Sequence, residues 1–106
     1  AGFKGEYAVN QNHCSGENYH TYEFANGHFI VRKSGVTNTF ELKDMDSSPK
    51  CLNTIDVALN KHVGHLCLEG FNDEEGTMFL EVNILATGYE ERFLFLEKCI
   101  SSTATP

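Results

Sequence analysis

The densest run of ligand-type side chains is His62-x-x-His65-x-Cys67. Imidazole and thiolate suit zinc, but zinc takes about four ligands in a tetrahedron, each oriented by further hydrogen bonds. On a strand His65 and Cys67 point the same way, while His62 falls in a turn, and no further ligands can be named. The histidines are therefore read as surface turn residues and Cys67 as a disulfide cysteine. No metal and no cofactor is expected. Nucleophilic catalysis finds no G-x-S-x-G elbow and no glycine-rich phosphate loop. Cys-His chemistry needs a free thiolate, which paired cysteines cannot supply. Glu74–Glu75 and Glu90–Glu91 fall in turns and read as solvated turn charges rather than an acid/base pair, which would need burial. Arg32 and Arg92 are the only arginines. Arg32 with Lys33 forms the only basic pair, a weak anion patch at most, and Arg92 reads as a strand-edge charge.

The elements that would position these groups are mostly strands. "EYAV" (6–9), "HFIVRK" (28–33), "TFELK" (39–43), "TIDVAL" (54–59) and "HLCLEGF" (65–71) carry β-branched or alternating apolar residues. "MFLEVNIL" (78–85) alternates, with Met78, Leu80, Val82 and Ile84 on one face and Glu81 and Asn83 on the other. "RFLFLEKC" (92–99) is apolar on both faces, as expected of a central strand covered on its second side. Phe93, Phe95, Leu80 and Val82 are expected to fill the core. "SGENYHTYEFANG" (15–27) supplies the candidate cover, a helix with Ser15 as N-cap, Gly27 as its stop and Tyr19, Tyr22 and Ala25 on one face. One helix packed on a curved antiparallel sheet gives an α+β fold. "KDMDSSPK" (43–50) is the clearest loop. Residues 1–100 form one domain, and 101–106 a frayed tail.

The 106 residues are 41% hydrophobic, with eight Phe and four Tyr to fill a small core. Fifteen acids against eight bases give a net charge of −7, which argues against a general grip on nucleic acid. No apolar run approaches the roughly 20 residues of a membrane-spanning helix, so no membrane partner is expected. No basic segment followed by an apolar one opens the chain, and any leader is expected to have been removed before Ala1. Cys14, Cys51, Cys67 and Cys99 are even in number and lack C-x-x-C spacing, which reads as two disulfides in a secreted protein. Four cysteines allow three pairings. Cys14–Cys99, tying the ends together, with Cys51–Cys67 is the favoured one.

Three features in order resemble the guanyl-specific fungal ribonuclease superfamily. "CSGENY" (14–19) resembles its C-x-G-x-x-Y segment, and "VTNTF" (36–40) its Y-P-H-x-F strand entry. "FNDEEGTMFLEVNILATG…FLEKC" resembles its last hairpin. The terminal cysteine matches that family's end-to-end bridge. Within the superfamily the chain is most similar to the ribonuclease-like secreted effectors of cereal powdery mildew fungi, through "GTMFLEV" (76–82). The tyrosine of that group's N-terminal Y-x-C motif is replaced by Asn12. The catalytic histidine of the last hairpin falls on Ala86, and that of the strand entry on Asn38. No arginine stands in "HLCLEG", and Asp56 is the only carboxylate on its strand.

The resemblance thus implies a pseudoenzyme, with a ribonuclease-like fold and no ribonuclease activity, because losing even one general acid or base typically costs 10²–10⁴-fold. It implies a secreted, monomeric virulence or avirulence effector of a fungal pathogen. Such a protein acts inside the host plant cell by binding a host protein or RNA, the latter weakly, and an intracellular NLR immune receptor is the partner class that would read it. The recognition surface is expected in the loops 36–50 and 86–92, at Asn38, Lys43, Asp44 and Asp46, and at Tyr89, Glu90, Glu91 and Arg92. Two other readings remain open. One is an active guanyl-type ribonuclease in which His28, His62 or His65 replaces the missing histidines. The other is a small secreted β-barrel that binds a ligand, its many aromatic strands and two disulfides suiting that architecture.

Overall fold

A computed structural model describes residues 4–84 and 89–100, with side chains placed at all of these except 89–92. The strands are β1 (Gly5–Ala8), β2 (His20–Ala25), β3 (His28–Lys33), β4 (Val36–Asp44), β5 (Cys51–Asp56), β6 (Lys61–Asn72), β7 (Thr77–Ile84) and β8 (Tyr89–Lys98). Each pairs antiparallel with the next, and β8 returns to β1, closing an eight-stranded up-and-down barrel. A 3₁₀ turn at Gln11–His13, capped by the Asn10 side chain, is the one helical element among the described residues. The expected tail, 101–106, lies outside them.

The α+β expectation is therefore corrected, because residues 15–27 form no helix. The physical reason is the turn at their end. Asn26 (φ 54°) and Gly27 (φ 76°) both adopt positive φ, as a two-residue type I′ hairpin turn requires. Asn-Gly is a hairpin signal, and it outweighs the helix stop that Gly27 alone resembles. The same geometry recurs at Ser34 (φ 52°) and Gly35 (φ 81°), between β3 and β4. Tyr22 and Phe24 then alternate as strand residues and are both buried.

The β5–β6 turn also shifts. "TIDVAL" stops being strand at Asp56, whose side chain accepts from the Leu59 N–H at 3.1 Å, and the turn places Val57 and Leu59 in solvent. The strand expected at 39–43 is longer, running nine residues from Val36 to Asp44, so the first part of the expected recognition stretch 36–50 is strand and not loop. The register slips twice along β6, near Gly64 and between Leu68 and Gly70, and once on β7, between Val82 and Ile84. A Cβ on Gly64 (φ 158°) would lie 1.8 Å from the Asn83 carbonyl oxygen, so only glycine fits there.

An eight-stranded barrel is just wide enough for side chains to fill it, and here they do. Phe24, Phe29 and Phe40 pack in sequence as tilted rings with centroids 5.0 and 6.1 Å apart. Tyr7, Tyr22, Val31, Val63, Leu66, Met78, Leu80, Val82, Ile84, Leu94 and Leu96 complete the core. Alternation on β7 is as expected from sequence. On β8 it is not. Leu94 and Leu96 point in, but Phe93 and Phe95, expected in the core beneath a helix, lie on the outside. The disulfides are Cys14–Cys99, joining the segment after β1 to the end of β8, and Cys51–Cys67, joining β5 to β6. These are the favoured pairings.

Candidate functional site

The outer face of β7 and β8 carries aromatic rings where a solvated sheet normally carries polar residues. The register places Thr77 opposite Glu97, Phe79 opposite Phe95, and Glu81 opposite Phe93. Phe79 is stacked with Phe93 at 5.7 Å and edge-on to Phe95 at 5.8 Å. The three rings are 39%, 59% and 69% exposed respectively. On the β6 side Phe79 faces Gly70, which has no side chain to cover the ring. Next to this cluster, Val9, Thr77, Phe95, Leu96 and Glu97 line a shallow groove of about 180 Å³; Val9 is itself exposed, as is Ile100, three residues after Glu97. Glu81 and Glu97 are on the same face. Glu97 is held by the Gln11 side-chain amide, which donates to it at 3.1 Å.

The residues singled out from sequence as a recognition surface do not converge. Asn38 sits mid-β4 opposite Val31. Lys43 pairs with Glu41 at 3.5 Å, and the Asp44 carbonyl accepts from Asn53 Nδ2 at 3.4 Å. Asp46 is exposed in the following turn. Tyr89 to Arg92 begin β8, four strands round the barrel from β4, and their side chains lie outside the described residues, as does Ala86.

Chemistry disperses in the same way. Arg32 is no free anion site, since it donates to Glu23 at 2.6 Å. That hydrogen bond raises the guanidinium pKa further above its ordinary range. Glu6, opposite Glu23 on β1, accepts from the Tyr19 hydroxyl at 3.2 Å. His28 and His13 bond neighbouring carbonyls at 3.0 and 2.8 Å, and His62 bonds the Asn53 side chain at 3.2 Å. Asp56 caps its own turn. No nucleophile with an adjacent base is assembled among the described residues.

Sequence reasoning missed Phe79, Phe93 and Phe95 as functional candidates. The signal was present in "RFLFLE", read as a strand covered on both sides. The structure leaves its second side uncovered. Compared with protein-family models, with curated proteins and with solved structures, the chain matches none.

Proposed function

We propose that this chain is a small, non-enzymatic protein-binding barrel whose outer β7–β8 face docks a basic segment of a partner protein. The observation that carries the reading is the uncovered cluster of Phe79, Phe93 and Phe95. Contiguous exposed apolar surface on a small domain marks an interaction site, and aromatic residues are the usual anchors of one. Charge selects the occupant. The rings are flanked by Glu81 and Glu97 on a chain of net charge −7. Lys and Arg can lie over the ring faces while pairing with those carboxylates. A second copy would bring like charges together, and an anionic membrane surface would be repelled. The packed interior argues for the outside of the barrel as the binding surface, unlike barrels that enclose a ligand. Two disulfides support action in an oxidising, extracellular compartment. A role as a pathogen effector rests on the sequence resemblance alone, and the ribonuclease-like fold that came with it is set aside by the barrel.

The test uses the oxidised full chain and two sets of synthetic peptides, one alternating Lys or Arg with aliphatic residues and one with the charges reversed to Asp and Glu. The basic set should bind. Phe95→Ser or Phe93→Ser should each weaken binding about tenfold or more, and added salt should weaken it too. Binding of the acidic set, or of neutral lipid vesicles in place of the basic set, would overturn the reading. So would a dimer in sedimentation that Phe95→Ser dissociates.

A further inference from the structure

Beside the aromatic face, three ligand-type side chains meet on the outer surface of β6 and β7. A ring nitrogen of His65, the sulfur of Cys67 and a carboxylate oxygen of Glu81 all lie within 4.8 Å of one another. Strand geometry puts them there: His65 and Cys67 are two apart on β6, and Glu81 stands directly opposite Cys67 on β7. Cys51 stands directly opposite Cys67 on the other side, on β5. His62, the nearest other histidine in sequence, is hydrogen-bonded to the Asn53 side chain at 3.2 Å. Three donors therefore converge, an imidazole, a sulfur and a carboxylate, and a second sulfur, that of Cys51, is bonded to the Cys67 member of the group.

In the oxidised protein the two sulfurs are bonded to each other, and a disulfide sulfur is a poor metal ligand. We infer that opening this bridge converts the cluster into a tetrahedral zinc site formed by Cys51, Cys67, His65 and Glu81. The reductant is a thiol or dithiol. Two electrons from two thiols break the Cys51–Cys67 bond, the thiols leave as their own disulfide, and each cysteine sulfur takes a proton. Zn²⁺ then displaces both protons and binds the two thiolates. Tetrahedral zinc, with bonds of about 2.0–2.3 Å, holds its ligand atoms roughly 3.3–3.8 Å apart. The three atoms already within 4.8 Å reach that spacing by side-chain rotation, because their backbones are fixed by the ladder. Freed of their bond, the sulfurs separate to the distance zinc requires. The Ser48 hydroxyl, 3.3 Å from the Cys51 sulfur, is placed to donate to the thiolate, as ligand-orienting groups do in built zinc sites. The other bridge, Cys14–Cys99, packs with Ala8 and belongs to no such cluster among the described residues. The inference is independent of the docking reading.

The experiment reduces the full chain with a non-chelating phosphine, exchanges it into anaerobic buffer and titrates it with Co²⁺, then Zn²⁺. One equivalent of Co²⁺ should give thiolate-to-metal charge-transfer absorption and the visible bands of a tetrahedral ion, and Zn²⁺ should bleach them. The oxidised chain should give neither. Glu81→Gln and His65→Ala should each weaken binding at least tenfold. Zinc should protect Cys51 and Cys67, and not Cys14 and Cys99, from alkylation as read by mass spectrometry. If reduction unfolds the chain, circular dichroism should show zinc restoring the strand signal, and failure to restore it would overturn the inference. So would protection of Cys14 and Cys99 instead, binding indifferent to both substitutions, or equal binding by the oxidised chain.

Discussion

Tyr7 shows how a single buried polar residue sets a limit on this barrel. Its ring packs edge-on to Phe24 at 6.3 Å, inside a core that leaves it 2% exposed. Burial, and secondarily Asp73, raises its phenol pKa above the ordinary value near 10. Below that value the phenol is neutral whether the chain is folded or not, and its contribution to stability is complete. As pH rises above about 10, the unfolded chain releases the proton and the folded chain resists. Stability then falls by up to about 1.4 kcal/mol per pH unit until the raised folded value is passed. Denaturant titrations at pH 9, 10 and 11 should show this loss, and Tyr7→Phe should reduce it. The rings of Phe79, Phe93 and Phe95 are the converse case, apolar residues left in water on the opposite side of the same sheet.

At the scale of elements, the barrel depends on strands that bend at defined places. β6 spans twelve residues and slips register twice, and one slip is accommodated by Gly64. Gly64→Ala would drive a methyl group into the Asn83 carbonyl of β7. It should destabilise the protein by roughly 2–4 kcal/mol, the range of severe overpacking and backbone strain, measured as a lower denaturant midpoint. Gly70 should be more forgiving, since a Cβ there would sit 3.7 Å from the Phe79 Cβ, an ordinary contact. Gly70→Ala therefore separates the need for bending from the need to leave Phe79 open. β8 is the element on which the two demands of the molecule meet. Leu94 and Leu96 hold it to the core, and Phe93 and Phe95 on its other edge of the alternation face the solvent.

For the whole molecule, closure is the organising fact. β1 pairs with β8 over only a short stretch, Tyr7 with Lys98 and Ala8 with Glu97. That seam is reinforced from outside the ladder. Gln11 reaches the Lys98 carbonyl at 2.8 Å, the Cys99 N–H donates to the Glu6 carbonyl at 2.9 Å, and Cys14–Cys99 crosses 85 residues of sequence. Loop-entropy reasoning gives that bridge about 4–5 kcal/mol of stabilisation and the 16-residue Cys51–Cys67 loop about 3 kcal/mol. Cys14→Ala with Cys99→Ala should therefore cost more in chemical denaturation than Cys51→Ala with Cys67→Ala. Equal or reversed losses would place the weight on β5–β6 instead of the seam.

Much was legible in local pattern. Alternation on β7, the strands at 28–33 and 39–43 and the favoured cysteine pairing follow from residue type and spacing. These are properties of a segment and its immediate neighbours. The sequence also contained Asn26-Gly27 and Ser34-Gly35, whose positive φ angles turn β2 into β3 and β3 into β4, but a helix stop and a hairpin turn share the same glycine. Only long-range pairing decides between them. Tertiary structure alone decided that β8 returns to β1, and with that closure the barrel fills from one side. Leu94 and Leu96 satisfy the interior, so nothing needs to cover Phe93 and Phe95. It also decided that Glu81 stands across from Cys67 beside His65, because register between distant strands depends on bulges and turns that no single segment encodes.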